Sequence, residues 1–425
     1  MSRRWAIALL LACPLVGACS DGSSPGERSV FPDDLPSLSA PVVGAPAADR
    51  LAVVDGDELV VMAPDGSDRV VIAGDEDLAV SQPTWSPDGR RLAWAERSTD
   101  LRAELMLVTA NVDGSEAQRV FTPFRPFYAQ WDPTGRRIGL LGGGPGGPTL
   151  GIADFDSASP GMTLIDSGQP YFFSWADDGE RLLAHAGPEV AVVGLDGSDE
   201  TIAASGLFQA PIWVGEDRLV YAVDDDEQAV VVTNVAQTVE RRFGYSNGAW
   251  LVMSPSGTRL AVQVSGPLDE AGAQQASTSA ASVPPTEPGL LPTGLHVVDL
   301  VSGETTTLSD EVKAAFFWSP DGEQLLVLDL EPGDDGTAST RWEVWTGQQV
   351  RRGPLFSPSL QTIQEYLPFF DQYAQSVSFW SPAGDRFVYA GTDADGQAGI
   401  WVARADDPAH PELVSTGSIA VWSPT

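Results

Sequence analysis

Lysine is almost missing from this chain: Lys313 is the only one, so arginine carries nearly all of the positive charge. With 59 acidic and 24 basic residues the formal net charge is -35. Such a chain repels nucleic acid and anionic lipid faces, which excludes nucleic acid as a partner and leaves cations or basic partners favoured by charge. Cysteine is almost missing too. Cys13 and Cys19 are the only two, both near the start, so no disulfide can staple the rest and a hydrophobic core must hold it. Histidine is limited to His185, His296 and His410, far apart and without metal-ligand spacing. No metal site and no cofactor is expected from them.

What is abundant is one recurring stretch, WSPDGRRLAW at residues 85–94. Ser86-Pro87-Asp88-Gly89 has the chemistry of a tight turn, with Pro fixing φ, Asp suited to the next position and Gly taking the left-handed slot. Beyond it, Leu92 and Trp94 alternate with Arg91 and Ala93, the two-residue period of a strand. Related stretches begin at Trp131, Trp175, Trp213, Met253, Trp318, Trp380 and Trp422, at intervals of 46, 44, 38, 40, 65, 62 and 42 residues. After most hairpins comes a third apolar strand, as in ELMLVTANVDG, and usually a fourth, as in AQRVFT. A period of about 40 residues with four strands per unit is the signature of a propeller blade.

The ends complement each other. Residues 50–73 supply second, third and fourth strands, and SIAVWSP at 418–424 supplies a lone first strand. Pairing them removes an exposed sheet edge. The expected fold is an all-β, eight-bladed beta-propeller over 50–425, closed by its N- and C-terminal strands. Seven blades is the alternative, because the Trp213 unit lacks the turn glycine of the others and two units carry insertions.

The WSPDG hairpin, followed by a strand and a segment ending in VDG or a similar turn, resembles the TolB-type, WD40-like beta-propeller repeat over roughly 50–425. Propellers of this kind are known as envelope scaffolds, in the Tol system, as gating domains of prolyl-oligopeptidase-type enzymes and in some polysaccharide lyases, so the resemblance implies a fold more than a function.

The first residues, MSRRWAIALLLACPLVGAC, combine a short basic start, an apolar run from Trp5 to Val16 and small residues before a cysteine. That pattern is an export signal at 1–18, too short to span a membrane. Val16-Gly17-Ala18-Cys19 resembles a bacterial lipobox, which implies lipidation of Cys19 and a membrane partner through that anchor. Arg3 and Arg4 raise twin-arginine export, but Ala6 and Ile7 fit it poorly. With Ser20 next, the sorting rule that this resembles implies the periplasmic face of the outer membrane in a Gram-negative cell. Residues 19–49, rich in Ser, Pro, Gly and Ala, read as a flexible tether.

Two insertions interrupt the period. Residues 266–294 are small and polar and read as a disordered loop. Residues 353–377 place Leu360, Ile363, Tyr366 and Leu367 at helical spacing after a Ser359 cap, with Pro368 as an interruption before Phe369, Phe370 and Tyr373. Those aromatics either plug the propeller's own channel or form a partner-binding patch; Tyr366, Phe369, Phe370 and Tyr373 are the candidate partner-binding residues.

Catalytic patterns are weak. GYSNG at 244–248 has the G-x-S-x-G form, but a strand rather than a helix follows it. Asp393-Ala-Asp395-Gly396 starts like a calcium loop without its remaining ligands. The other acidic clusters, Asp55 with Asp57, 224–227, and Asp334 with Asp335, fall at expected turns. The expected function is a lipid-anchored envelope module that binds or scaffolds an unidentified protein or glycan without catalysis. The alternative is a carbohydrate-active propeller using carboxylates and a divalent cation.

Overall fold

The computed structural model describes residues 48–425 apart from 76, 99–104, 145, 158, 206–207, 225–227, 246–247, 267–289 and 333–337. The export signal, Cys19, nearly all of the tether, the centre of GYSNG and most of the 266–294 insertion therefore lie outside the described residues. The chain folds into successive antiparallel sheets, six of four strands and one of seven.

Each sheet grows from the repeat. In the Trp85 unit the strand Leu78–Trp85 turns into Arg91–Ser98, followed by Leu105–Asn111 and Gln118–Thr122. The turn is wired by the residue after the tryptophan: Ser86 Oγ bonds Asp88 at 2.7 Å and accepts the Arg91 N–H at 2.9 Å, while the Gly89 N–H donates to Ser86 O. Gly89 sits at φ +66, where a Cβ is strained. Ser254, Ser319 and Ser381 repeat this wiring, and Asp132 does it with a carboxylate. The Trp213 unit instead makes a shorter turn with Gly215 at φ +62 and still forms a four-stranded sheet from Ile212–Val214, Arg218–Asp224, Gln228–Asn234 and Val239–Gly244.

The second strand of the Trp85 unit is buried on both faces at its start, which the alternation of Leu92 and Trp94 with Arg91 and Ala93 understates: all four residues are buried. The outermost strands, such as Val70–Gly74 and Gly161–Ser167, are largely exposed. Neighbouring sheets are also hydrogen-bonded at the tryptophans. The Trp131 indole donates to Thr84 O, Trp175 to Gln130 O, Trp318 to Val252 O, Trp380 to Phe317 O and Trp85 to Val421 O. Each acceptor is the carbonyl just before the preceding unit's anchor.

The same seams carry arginines. Arg91, Arg181, Arg259 and Arg386 lie over the rings of Trp131, Trp213, Trp318 and Trp422 at 4.9, 5.0, 5.3 and 5.4 Å. Arg91 and Arg259 also donate to Gly135 O and Gly322 O, the turn glycines of the next unit.

The strand Leu51–Asp55 pairs antiparallel with the last strand, Ile419–Trp422, joining the two ends as the sequence implies. Asp49 fastens the joint, accepting Trp422 Nε1 at 2.9 Å and the Arg386 guanidinium at 2.7 Å. The seven-stranded sheet arises where Gln349–Pro358 pairs through Phe356, Ser357 and Pro358 with Arg386–Asp393. The inserted segment thus leaves the sheet at Ser359, and residues 353–358 belong to a strand.

Candidate functional site

Since every first strand ends at its W-S-P-type turn, all those turns lie on one face, and the connections between sheets lie on the other. Segment 359–377 is one such connection. It begins with Ser359 Oγ accepting the Thr362 N–H at 3.1 Å and continues through helical turns Thr362–Tyr366, Leu367–Phe369 and Phe370–Tyr373. Pro368 does not interrupt them. It occupies the first turn of its short helix, where its missing N–H leaves no bond unmade.

This segment fills the middle of the molecule. Gln372 clamps a first strand, its Nε2 donating to Phe173 O at 2.7 Å and its Oε1 accepting the Phe173 N–H at 3.0 Å. The Tyr373 hydroxyl donates to Gln82 Oε1 at 2.7 Å, and Tyr128 donates to Gln372 O at 3.1 Å. Asp371 accepts the Ala210 N–H at 3.1 Å, Gln375 donates to Pro211 O, and Thr84 and Gln130 donate to Ser376 O and Gln375 O. Phe370 packs edge-on against Phe316 at 4.9 Å, and Ser359 Oγ donates to Ser418 O. The contacts therefore reach first strands, or the residues just before them, around most of the ring.

Of the four aromatic residues singled out in the sequence, Tyr366, Phe370 and Tyr373 are buried. Tyr366 stacks on Tyr373 with ring centroids 4.3 Å apart. In this structure these three are core residues, and burial pushes both tyrosine hydroxyls up from their ordinary pKa. Phe369 is half-buried, stacked on Phe127 at 6.0 Å and near Phe208 at 6.3 Å. The exposed apolar side chains of this region are others: Leu360 is 67% exposed, Phe208 48% and Ile363 40%. Helical spacing alone could not find them, because it marks a shared face without saying whether that face points in or out.

Below the plug, on the turn face, lies a cavity of about 270 Å³ whose lining includes Gln130, Ser174, Trp213, Ser254, Asp371 and Gln375. Burial pushes the Asp371 carboxyl up to about 6. The Trp213 indole N–H, alone among the buried anchor tryptophans, has no hydrogen-bond partner among the described residues.

The remaining candidates do not come together. His185 and His296 are buried, with burial lowering their pKa, and they bond Gln209 O and Pro292 O; His410 is exposed beside Asp407. Burial pulls the Lys313 ammonium down, but its 2.7 Å ion pair with Asp329 outweighs this and its pKa ends raised. Asp393 binds the N–H groups of Asp395 and Gln397, an ordinary turn. Among the described residues no three His, Cys, Asp or Glu are grouped as metal ligands.

No family model matches the chain, and no curated relative does. Among solved structures, it is similar to a eukaryotic initiation factor at 9% identity and TM-score 0.52, covering 88% of this chain and 98% of that one. It is similar to TolB from Acinetobacter baumannii at 13% identity and TM-score 0.37 over 71% of this chain and 61% of that one. The beta-propeller domain of the Trilobed protease from Pyrococcus furiosus matches at 13% and 0.45 over 81% and 100%. The likeness is one of fold. The propeller character follows from the chain's own topology: successive antiparallel meanders, first strands inside, and a last strand completing the first sheet.

Proposed function

We propose that this chain is a lipid-anchored, extracytoplasmic propeller that serves the cell envelope as a non-catalytic binding or scaffold module, displaying a filled ring to a protein or glycan partner. Eight blades is the count that best suits the topology. On that count the seven-stranded sheet would divide into two, with residues 378–380 as the inner edge of the second, a reading that the bridge Trp380–Phe387 supports. Cys19 would carry the lipid, and residues 20–47 would hold the ring clear of the headgroups, at the periplasmic face of the outer membrane if the cell is Gram-negative.

The observation that carries the reading is the plug with its outward apolar side chains. A core segment hydrogen-bonded to so many inner strands is a rigid platform; Leu360 and Ile363 on it are exposed, and its half-buried Phe369 lies near exposed Phe208 of a neighbouring connection. Isolated exposed apolar residues need no explanation, but a group of them on a rigid support is a feature of interaction surfaces. The filled channel also favours display over the carbohydrate-active alternative, whose carboxylates need an open mouth.

The test is a crosslinked pull-down from envelope membranes with the native lipidated chain and with a Leu360→Asp, Ile363→Asp variant. The expected result is a specific component recovered by the native chain and lost from the variant at unchanged thermal midpoint. Identical recoveries from both would contradict the reading.

A further inference from the structure

The repeat departs from its own wiring at one place, and a cavity lies there. In five units the anchor tryptophan donates its indole N–H to the carbonyl just before the preceding anchor. Two consecutive seams lack that bond. The buried Trp213 indole N–H has no partner among the described residues, and Met253 stands where the next tryptophan would be. The Trp213 unit also carries Val214-Gly215 where Trp85 is followed by Ser86-Pro87. All four of these residues line the cavity of about 270 Å³ beneath the plug, together with Ser174 and Ile212, which precede the anchors Trp175 and Trp213.

Where several departures from a repeat converge on one concave place, they mark a site grafted on the fold. We infer that this cavity binds one small amine of the amino-sugar type, with its ammonium at Asp371 and one of its oxygens accepting the Trp213 indole N–H. The site is on the turn face, away from Leu360 and Ile363, so the inference is independent of the scaffold reading.

The charge of the occupant follows from the lining, whose ionisable residues are two acids, Asp371 and Asp177. Asp371 is 3% exposed and makes no ion pair to a described residue; its oxygens accept the N–H groups of Ala210 and Gln372. Burial pushes this carboxyl up to about 6, so at neutral pH the plug holds a buried anion without a counter-ion. An unpaired buried charge is costly, and an ammonium that reaches it offsets that cost. Arg181, stacked on the Trp213 ring at 5.0 Å, is paired with Asp178 at 2.8 Å. An anionic ligand would meet two carboxylates and no cation in the lining.

The neutral residues select the shape. Ile212, Leu251 and Met253 supply an apolar wall, and Gln130, Gln375 and Ser174 a polar one. A sugar ring matches that combination, with C–H faces and a hydroxylated edge. The volume falls just below the roughly 300–1,000 Å³ of common small-molecule sites, which is room for a single ring.

The probe is glucosamine, titrated at neutral pH into the full chain with isotope-labelled tryptophan, Trp213→Phe serving to assign the Trp213 indole resonance. Expected are a saturable shift of that resonance and an affinity lower by about tenfold or more for glucose and N-acetylglucosamine, which lack the ammonium. Asp371→Asn should bring the three sugars within about twofold of one another. Met253→Trp, which restores the residue of the repeat, should close the cavity and abolish the shift while the thermal midpoint shows the fold kept; it decides the matter if Asp371→Asn does not fold. Phe208→Ala, on the plug face, should leave binding unchanged. No shift of the Trp213 resonance, equal affinity for glucosamine and glucose, or an undiminished shift in Met253→Trp overturns the inference. An equal shift with ammonium chloride also overturns it, since the site would then take a bare cation. Any of these failures leaves the membrane pull-down, which reads the plug face, untouched.

Discussion

The two faces of the ring are built from the same repeats, yet they are held together by different means. On the turn face most units grip the next through a tryptophan indole, a stacked arginine or a bond to a turn carbonyl. On the opposite face a single inserted segment reaches most of the units, its polar side chains bonding main-chain groups of the inner strands. The first arrangement is distributed, so losing one seam leaves others. The second is centralised, and it leaves Leu360 and Ile363 exposed on the plug.

The largest effect should come from breaking a seam. Trp380→Ala removes a buried indole and its bond to Phe317 O, and should cost about 3–5 kcal/mol in chemical denaturation. Next comes Asp371, whose carboxyl is pushed up to about 6 from 3.8 by burial. A raised folded pKa means that the neutral form is favoured on folding, so this group's contribution to stability is fully present below about pH 4 and falls by about 3 kcal/mol as pH rises through about 6. Asp371→Asn should flatten that dependence while native chain retains it, measured as the denaturation midpoint across this window.

Gln372→Ala strands the Phe173 N–H and C=O and should cost about 2 kcal/mol. Hydrogen exchange should speed up in 359–377 while the turns stay protected; equal acceleration at the turns would show that plug and seams are not separable. Smaller again, Arg259→Lys should lose about 1 kcal/mol, because an ammonium keeps the charge but not the planar stack on Trp318. Smallest in stability is Leu360→Asp, within about 0.5 kcal/mol, with its effect confined to partner binding.

Local turn chemistry made much of this legible. Ser86 to Gly89 and their counterparts announce the hairpins, and a first strand ending at Trp422 requires a partner near Leu51, which it finds. The arginine after the turn also recurs at a fixed place, in Arg91, Arg137, Arg181, Arg259 and Arg386, and could have pointed to the seams. The plug's helical spacing was visible. What was not visible was which side faces the ring, since the aromatic residues Tyr366, Phe370 and Tyr373 are buried only because strands distant in sequence surround them. Gln372, Asp371 and Gln375 carried no signal at all: a polar residue in an insertion has no period, and its partners lie 161 to 199 positions away.

The most direct test of the division between faces is hydrogen exchange of the full chain, alone and crosslinked to a captured partner. Slower exchange confined to 359–370 and the neighbourhood of Phe208, with the turns at 86–91 and 132–137 unchanged, is the predicted result. Protection of the turns with none on the plug would contradict it.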